Sequence, residues 1–416
     1  MCYYDETYYE DERKIQDSGV RDIFTPHTPI DQESLFKGRR TEVQQILSTL
    51  NTPGQHVLLY GDRGVGKSSL ANISSKNLVN ITGKALIVKR CSKTDSFSSI
   101  MEYFFEKRSN DNPNILSKQS SFGLGFQGLS YNIEKTEQGI VTKLISPSWV
   151  ADKIQNENVL FLIDEFDAIQ NNEDKHKISE LIKLLSDSNS ECKIFIVGIA
   201  ESAEELTAGH PSIQRCLKEI KLNKMIFREL LGIIISGSER LNITFTRDAR
   251  FRICRLSSGY PHFTHLIALK ASEDAIINDL KTIDIEQVNE AIERSVSDCE
   301  NSLRQSYDET VLSAKSLPIY RRILYATSFC LNEFIRSRDI RYIYGLLFDE
   351  DISQAKMNNY LSKIVSPSND KLLRRLAKGV YRFNDPRMSS YIRLVQSDMY
   401  TDKEDGVYSK IKTDEI

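Results

Sequence analysis

The chain has 416 residues, of which 40% are hydrophobic and 27% are charged, and its formal net charge at pH 7 is −3. This length exceeds a single ordinary core and predicts two or three domains. No stretch approaches the ~18–20 consecutive apolar residues of a membrane span, and the N-terminus lacks the basic and apolar regions of a secretory signal. The sequence therefore predicts a cytoplasmic protein that does not contact membranes.

Charge is unevenly distributed along the chain. The first 18 residues carry six acids against Arg13 and Lys14, whereas residues 320–393 carry 14 Lys or Arg against seven Asp or Glu. A basic segment inside a near-neutral chain indicates either a nucleic-acid face or a solvated surface, and charge alone does not decide between them.

Residues 1–30 are acidic, rich in tyrosine and without helical periodicity. Pro26 and Pro29 disfavour helix and favour extended chain. We therefore expect an N-terminal arm over residues 1–30 that is flexible. The helical period of residues 41–50, which stops before the breakers at 51–54, places the first helix after this arm.

Five apolar runs predict the strands of a core, at residues 56–60, 85–88, 159–163, 193–197 and 217–222. Helical patterns separate the runs, at 66–79, 96–107, 148–156 and 175–187. Continuous apolar strands alternating with helices are typical of a parallel α/β sheet. We predict such a domain over residues 31–224. Residues 108–145 interrupt it as an inserted loop or hairpin, which is either a surface excursion or a contact for a substrate or partner.

Helical patterns replace the strands after residue 225, at 225–237, 247–256, 261–279, 285–297 and 301–316. They predict a helical lid over residues 225–317. Short helices at 318–330, 336–347 and 352–364 then lead into two strand-like segments, 371–375 and 379–383. Helices followed by a hairpin are the pattern of a winged-helix domain, which we predict over residues 318–397, followed by an acidic tail over 398–416.

The segment that follows the first predicted strand fits G-x-x-x-x-G-K-[ST] and opens a helix, which is the context of a phosphate-binding P-loop. Its glycines let successive backbone N–H groups and the helix N-terminus point at an anion. Lys67 would neutralise the β- and γ-phosphates of ATP, and the Ser68 hydroxyl would bind Mg²⁺. The predicted nucleotide contacts in this segment are Gly61, Asp62, Arg63, Gly64, Val65, Gly66, Lys67, Ser68 and Ser69.

An apolar strand ending in Asp164 and Glu165 supplies the second part of the site. Asp164 is expected beside the Mg²⁺, and Glu165 near the γ-phosphate as the general base that activates water. An acidic pair alone is weak evidence, but its position about 100 residues after a P-loop makes the pairing specific. Asp167 is interpreted as a surface residue or helix cap.

At these motifs the chain resembles the AAA+ superfamily, and more narrowly its initiator-like (origin-recognition-like) clade with a C-terminal winged helix. The resemblance extends over residues 30–397. Beside the P-loop and the acidic pair, it rests on residues 36–42, 197–202, 258–261 and 381–386.

The resemblance implies further roles. Gly38 and Arg39, with Glu42, would lie beside adenine, or else form a plain helix N-terminus. Ser202 would sense the γ-phosphate. Arg215 would be an arginine finger that reaches the nucleotide of a neighbouring subunit, or else a structural ion pair.

One segment departs from the initiator pattern. Where these ATPases carry a sensor arginine after the lid glycine, this chain has Gly259-Tyr-Pro261-His262. A Gly-x-Pro at this position resembles STAND-type signalling ATPases, in which the proline contacts adenine. Pro261 is therefore expected at the nucleotide, and His262 either at a phosphate or in lid packing.

Two hypotheses follow. The first is an Mg²⁺-dependent ATPase that forms a homo-oligomer under nucleotide control and acts on DNA or a DNA-processing partner. Its DNA contacts would be the helix at 352–364, in a major groove, and Arg374, Arg375 and Arg382 on phosphates. The second is a STAND-like ATP/ADP switch that regulates a separately encoded effector, for example in antiviral defence.

Overall fold

The structure is a computed structural model. It describes residues 4–407 except 112–132, 137–138, 143–144, 201, 208–210, 313–316, 331, 366–371, 398, 401–403 and 405–406. In this part of the chain no helix is both long and apolar enough to cross a bilayer.

The centre of the molecule is a sheet of five parallel strands in the order β2-β5-β6-β1-β7. The strands are β1 (His56–Gly61), β2 (Ala85–Arg90), β5 (Val159–Asp164), β6 (Lys193–Ile199) and β7 (Leu217–Lys221). Alternate side chains of β1 enter separate apolar clusters, Val57 and Leu59 in one and Leu58 in the other. Because both faces of the sheet are buried at its centre, β1, β5 and β6 are nearly continuous apolar runs, whereas the edge strand β7 has exposed charged residues. The predicted α/β fold class is confirmed.

Helices cover both faces of this sheet, and a short hairpin lies within the predicted insertion. The helices are α3 (Arg40–Asn51), α4 (Lys67–Thr82), α5 (Phe97–Asp111), α6 (Pro147–Ile154), α7 (Asn172–Asp187) and α8 (Ala203–Thr207). The hairpin pairs β3 (Ile133–Thr136) with β4 (Gly139–Thr142) in antiparallel fashion. The remainder of the predicted insertion lies largely outside the described residues.

The N-terminal segment is folded, which corrects the expectation of a flexible extended arm. It contains helices α1 (Tyr4–Ser18) and α2 (Val20–Ile23), and Ile15, Val20 and Phe24 are buried in the main core. Lys14 and Arg21 form ion pairs with Asp279 and Glu273 of the lid. Ile15, Val20 and Phe24 pack into a core whose other residues are mostly distant in the sequence, which the local pattern did not indicate.

The lid consists of five helices and a two-residue pair of parallel strands, β8 (Thr244–Phe245) with β9 (Thr282–Ile283). Its helices are α9 (Phe227–Leu241), α10 (Arg247–Ser257), α11 (Pro261–Ile277), α12 (Ile285–Asp298) and α13 (Asn301–Leu312). Helix α12 begins with a capping box: the Asp284 side chain accepts from the Gln287 backbone N–H, and the Gln287 side chain accepts from the Asp284 backbone N–H.

The C-terminal region combines helices with a three-stranded sheet in the order β10-β12-β11. Its elements are α14 (Leu317–Ser328), β10 (Ile335–Arg336), α15 (Ser337–Phe348), α16 (Gln354–Ile364), β11 (Leu373–Ala377), β12 (Val380–Phe383) and α17 (Met388–Val395). The sequence pattern predicted the first three helices and the hairpin of β11 and β12, but neither β10 nor α17. Beyond α17, Glu404 is buried and pairs with Arg252 of the lid, so this position of the predicted acidic tail is packed into the fold.

Candidate nucleotide-binding site

A cavity of about 340 Å³, here called the P-loop cavity, opens at the carboxyl ends of β1 and β5. Ligands of open α/β sheets bind at this edge. The described residues that line the cavity include the P-loop, residues 25–30, Arg39, the acidic residues after β5, the start of α11, and the side chains of Glu300 and Arg387. The P-loop, Arg39, Asp164, Glu165 and the start of α11 were predicted as parts of the site, whereas residues 25–30, Glu300 and Arg387 were not.

The P-loop has the backbone conformation that its glycines permit. Gly61, Gly64 and Gly66 have φ values of 144°, 80° and 93°. A Cβ at Gly61 would lie 2.5 Å from the carbonyl oxygen of Leu222, so a side chain there would displace the neighbouring chain. Gly66 caps α4, and the free N–H groups of that helix start point into the loop, where they can bind phosphate.

Lys67 is buried and held against the loop. Its Nζ donates to the carbonyl oxygens of Gly61 at 3.0 Å and Asp62 at 2.7 Å. Burial lowers the pKa of Lys67 to about 8, while the carboxylates of Asp167, Asp62 and Asp164 act in the opposite direction. The Lys67 ammonium therefore loses its proton at a lower pH than an exposed lysine does.

Asp164 and Glu165 are placed by the end of β5. The Asp164 side chain is buried, and its Oδ1 accepts a hydrogen bond from the Glu165 backbone at 2.9 Å. Glu165 adopts a left-handed φ of 57°, an uncommon conformation for a residue other than glycine, and its side chain is exposed at the cavity. Asp164 and Ser68 line the same cavity, and their hard oxygen atoms fit Mg²⁺.

Asp167 is a residue whose role the sequence interpretation missed. It lies in the short 3-10 turn Phe166–Ala168 and lines the P-loop cavity, and its Oδ1 accepts from the Ile199 backbone at 2.7 Å. Its carboxylate therefore faces the site and is no simple surface residue. The spacing D-E-x-D in the sequence was the available signal.

Arg39 lines the cavity and contacts the P-loop. It is buried, and its Nη2 donates to the carbonyl oxygens of Val65 at 3.3 Å and Asn223 at 2.5 Å. Its backbone N–H donates to Glu229 at 2.8 Å. Gly38 does not itself line the cavity among the described residues, but a Cβ there would lie 2.5 Å from the Glu229 carboxylate. The glycine therefore permits the contact that holds Arg39.

The lid start and the N-terminal segment close the cavity together. Pro261 lines it close to Gly66, where an added Cβ would lie 3.7 Å from the Pro261 Cγ. The His262 ring is hydrogen-bonded through Nδ1 to the Pro26 carbonyl oxygen at 2.8 Å. His265 accepts from the Thr25 backbone at 3.2 Å, and burial lowers its pKa to about 4. His262 therefore lines the cavity and also packs the lid against the N-terminal segment.

A network of charges from distant parts of the chain reaches the P-loop. Arg387, at the N-terminus of α17, is only 2% exposed and donates to Glu300 at 2.7 and 3.1 Å. Glu300 also pairs with Arg63 of the P-loop at 3.3 Å. A Cβ on Gly64 would lie 2.9 Å from the Arg387 Cδ, so the C-terminal region packs directly on the phosphate loop.

Arg382 forms a second connection to the P-loop. Its side chain is 5% exposed, pairs with Glu333 and lies 3.8 Å from a carboxylate oxygen of Asp62. The prediction that Arg382 contacts DNA is corrected, because this guanidinium is buried against the α/β domain. Arg375 is exposed on β11, and Arg374 beside it is half-buried.

Ser202 and Arg215 are not among the described residues that line the P-loop cavity. Ser202 precedes α8. Arg215 is exposed and ends the turn Pro211–Arg215 just before β7, where the next residue, Cys216, accepts from the His56 backbone at 2.8 Å. It therefore lies at the amino edge of the sheet, roughly 20 Å of strand away from the P-loop of its own chain.

Comparisons with known proteins agree with this geometry. A family model described as Novel STAND NTPase 1 matches residues 26–261, more than half of the chain. Among solved structures, a Walker-type ATPase of Pyrococcus abyssi is similar with a TM-score of 0.52 and 16% identity, over 89% of this chain and 99% of that one. The Orc2 protein of Aeropyrum pernix has a TM-score of 0.49 and 14% identity, over 91% of this chain and 98% of that one. No curated protein matches.

Proposed function

The chain belongs to the Novel STAND NTPase 1 family, and from this premise we propose that it is an Mg²⁺-dependent ATPase that works as a nucleotide-controlled switch. In this proposal ATP binds the P-loop cavity, and the bound nucleotide sets the position of the C-terminal region. The chain would contain an α/β domain (31–224), a lid (225–317) and a winged-helix domain (318–397). The observation that carries the proposal is the packing of Arg387 on Gly64.

The charges explain how a phosphate could be sensed. Glu300 accepts from Arg387 and pairs with Arg63, so one carboxylate links the P-loop to the C-terminal region. A γ-phosphate would compete with Glu300 for the guanidinium groups of Arg63 and Arg387. Its negative charge would also repel the Glu300 carboxylate and so weaken the ion pairs that Glu300 forms. ATP and ADP differ by this phosphate, which gives them different affinities for the closed arrangement.

The residues of the cavity supply the chemistry of hydrolysis. Lys67 would neutralise the phosphates, and the P-loop N–H groups would orient them. Ser68 and Asp164 would hold Mg²⁺, which neutralises phosphate charge when bound. Glu165 would accept the proton of the attacking water, with Asp167 beside it as a further carboxylate. Pro261 and Arg39 would contact or position the adenine.

The switch is tested by comparing the shape of the full chain with ADP and with a non-hydrolysable ATP analogue. Small-angle scattering and limited proteolysis should show a more open molecule with the analogue. The same comparison in Lys67→Ala, which would not bind either nucleotide, should show no difference. A wild-type protein that binds both nucleotides but has identical scattering and cleavage patterns would contradict the switch while leaving the ATPase in place.

A second candidate function is action on DNA as an oligomer, and one observation favours it. Arg375 and Lys378 are exposed on the β11–β12 hairpin, and Lys356 and Lys363 are exposed on α16. A helix beside a basic hairpin is the arrangement with which winged-helix domains contact DNA. Arg215, exposed at the edge away from its own P-loop, would then act on a neighbouring subunit. In either function we propose that the partner, a DNA-processing protein or an effector, is separately encoded.

A further inference from the structure

A second cavity, of about 610 Å³, lies where the α/β domain, the lid and the C-terminal region meet. Its walls are residues 221–227 after β7, the end of α10 with Ser258 and Gly259, and residues around Glu333, Phe383 and Arg393. Lys67, Asp164 and Glu165 do not line it, so it lies apart from the proposed hydrolytic residues. A cavity of this volume is within the usual range for small-ligand sites.

The charged residues that line the second cavity are mostly basic. The acids are Asp62 and Glu333, and the bases are Lys221, Lys224, Arg255, Arg382 and Arg393. Arg382 pairs with Glu333 and lies 3.8 Å from Asp62, and Lys221 lies 3.7 Å from Glu333. Both acids are therefore already engaged by cations, and among the described lining residues the bases outnumber the acids.

Lys224 is the cation without a matching acceptor. In the described part of the chain no oxygen lies within hydrogen-bonding distance of its Nζ, which instead faces the Tyr260 ring at 4.9 Å from the centroid. Burial lowers the pKa of Lys224, so its charged form is disfavoured in this environment. A half-buried cation of this kind is stabilised when an anion binds beside it.

Arg393 fixes a further positive charge on the opposite wall. Its two terminal nitrogens donate to the carbonyl oxygens of Arg255 at 3.1 Å and Ser328 at 2.6 Å, and its guanidinium stacks on Phe329 with 4.2 Å to the ring centroid. These two hydrogen bonds and the ring contact hold the guanidinium in one position. The cation is thus rigidly placed, as an anion site requires.

Apolar side chains complete the second cavity, among them Phe227, Leu230, Ile335 and Phe383. From this combination we propose that the second cavity binds a small organic phosphate, with the phosphate between Lys224 and Arg393 and the organic group against the apolar wall. Because the walls belong to three parts of the chain, a bound ligand holds the C-terminal region on the α/β domain. The ligand would therefore stabilise the closed form independently of the P-loop.

Binding is tested in a Lys67→Ala background, which weakens phosphate binding at the P-loop. Inorganic tripolyphosphate is the probe, titrated calorimetrically into the full chain. We expect one site, weakened roughly 10-fold or more by Lys224→Met, which removes a charged partner while keeping the length of the side chain. Lys218→Met is the matched control, because Lys218 is exposed on β7 and lines neither cavity.

A second measurement covers the case in which Lys224→Met disturbs folding. Pyridoxal 5′-phosphate followed by borohydride labels amines near a phosphate site, and peptide mass spectrometry locates the label. We expect Lys224 to be labelled at least ~10-fold faster than Lys218, and faster by the phosphate reagent than by pyridoxal. Absence of tripolyphosphate binding, an equal effect of both lysine variants, or equal labelling by the two reagents would overturn the proposal.

Discussion

Arg387 and Glu300 form a two-bond ion pair, in which both terminal nitrogens of the arginine donate to the carboxylate at 2.7 and 3.1 Å. The pair joins the start of α17 to the start of α13, and its glutamate also contacts Arg63 of the P-loop. The hydrogen bonds from Arg387 lower the pKa of Glu300 to about 2. This relationship makes the contact between the C-terminal region and the P-loop sensitive to acid.

The first prediction concerns acid stability. A carboxyl group whose pKa is lowered by folding stabilises the fold fully above its unfolded pKa, and loses that contribution as pH falls through the folded pKa. The stabilisation by Glu300 should thus be complete above about pH 4.5 and decline towards pH 2. Glu300 is 35% exposed, so solvent screening keeps the effect modest. The melting temperatures of wild type and Glu300→Gln should differ at pH 7 and converge in acid.

Glu290→Gln is the matched control for this measurement, since Glu290 is an exposed glutamate of α12. Its melting temperature should follow the wild type at every pH. A constant gap between wild type and Glu300→Gln from pH 7 to pH 3 would show that the ion pair does not titrate as the geometry requires.

The second prediction concerns the pH dependence of nucleotide binding. Burial lowers the pKa of Lys67 to about 8, so above that pH the free protein must take up a proton before its lysine can neutralise phosphate. The affinity for ATP should be constant below pH 8 and fall by up to ~10-fold per pH unit above it. The arginine of Lys67→Arg stays charged throughout this pH range. If this variant still binds ATP, its affinity should not fall above pH 8. A pH-independent wild-type affinity up to pH 9.5 would count against the assignment.

The third prediction separates binding from hydrolysis. Glu165→Gln removes the proposed base and should lower turnover by ~10²–10⁴-fold while ATP affinity is retained. Asp167→Asn tests the carboxylate that the structure adds to the site, and we expect a smaller loss. Steady-state turnover and equilibrium binding are measured on the same preparations. Undiminished hydrolysis by Glu165→Gln would remove the base assignment.

The strands and the phosphate loop could be predicted because their signals are local. Continuous apolar runs give buried parallel strands, and the P-loop is a fixed backbone motif, so β1, Gly61 and Lys67 follow from neighbouring residues alone. Arg387 and Glu300 could not be predicted as partners, because 87 residues separate them and nothing near either one indicates the other. The same holds for helix α1, whose buried Ile15 packs into a core formed largely by residues far away in the sequence.

The fourth prediction concerns DNA binding. Changing Arg375 and Lys378 together to alanine should weaken salt-sensitive binding of duplex DNA and lower the salt slope by about one for each phosphate that is no longer neutralised. Lys281→Ala is the control, because Lys281 is an exposed lysine of the lid. Anisotropy titrations at several salt concentrations measure both quantities. Equal effects of the hairpin and lid variants would indicate general electrostatics and favour the switch without DNA.

The fifth prediction tests whether Arg215 acts in trans. Arg215 is exposed at the edge of the sheet away from its own P-loop, so an arginine finger there could serve only a neighbouring subunit. Arg215→Ala should lower turnover by ~10³-fold or more without loss of ATP binding. The Lys67→Ala variant lacks a working P-loop site but keeps Arg215. Mixing the two inactive variants should therefore restore part of the activity, since an intact site can meet an intact finger. Full activity of Arg215→Ala alone, or no recovery in a mixture that forms oligomers, would make Arg215 a structural residue.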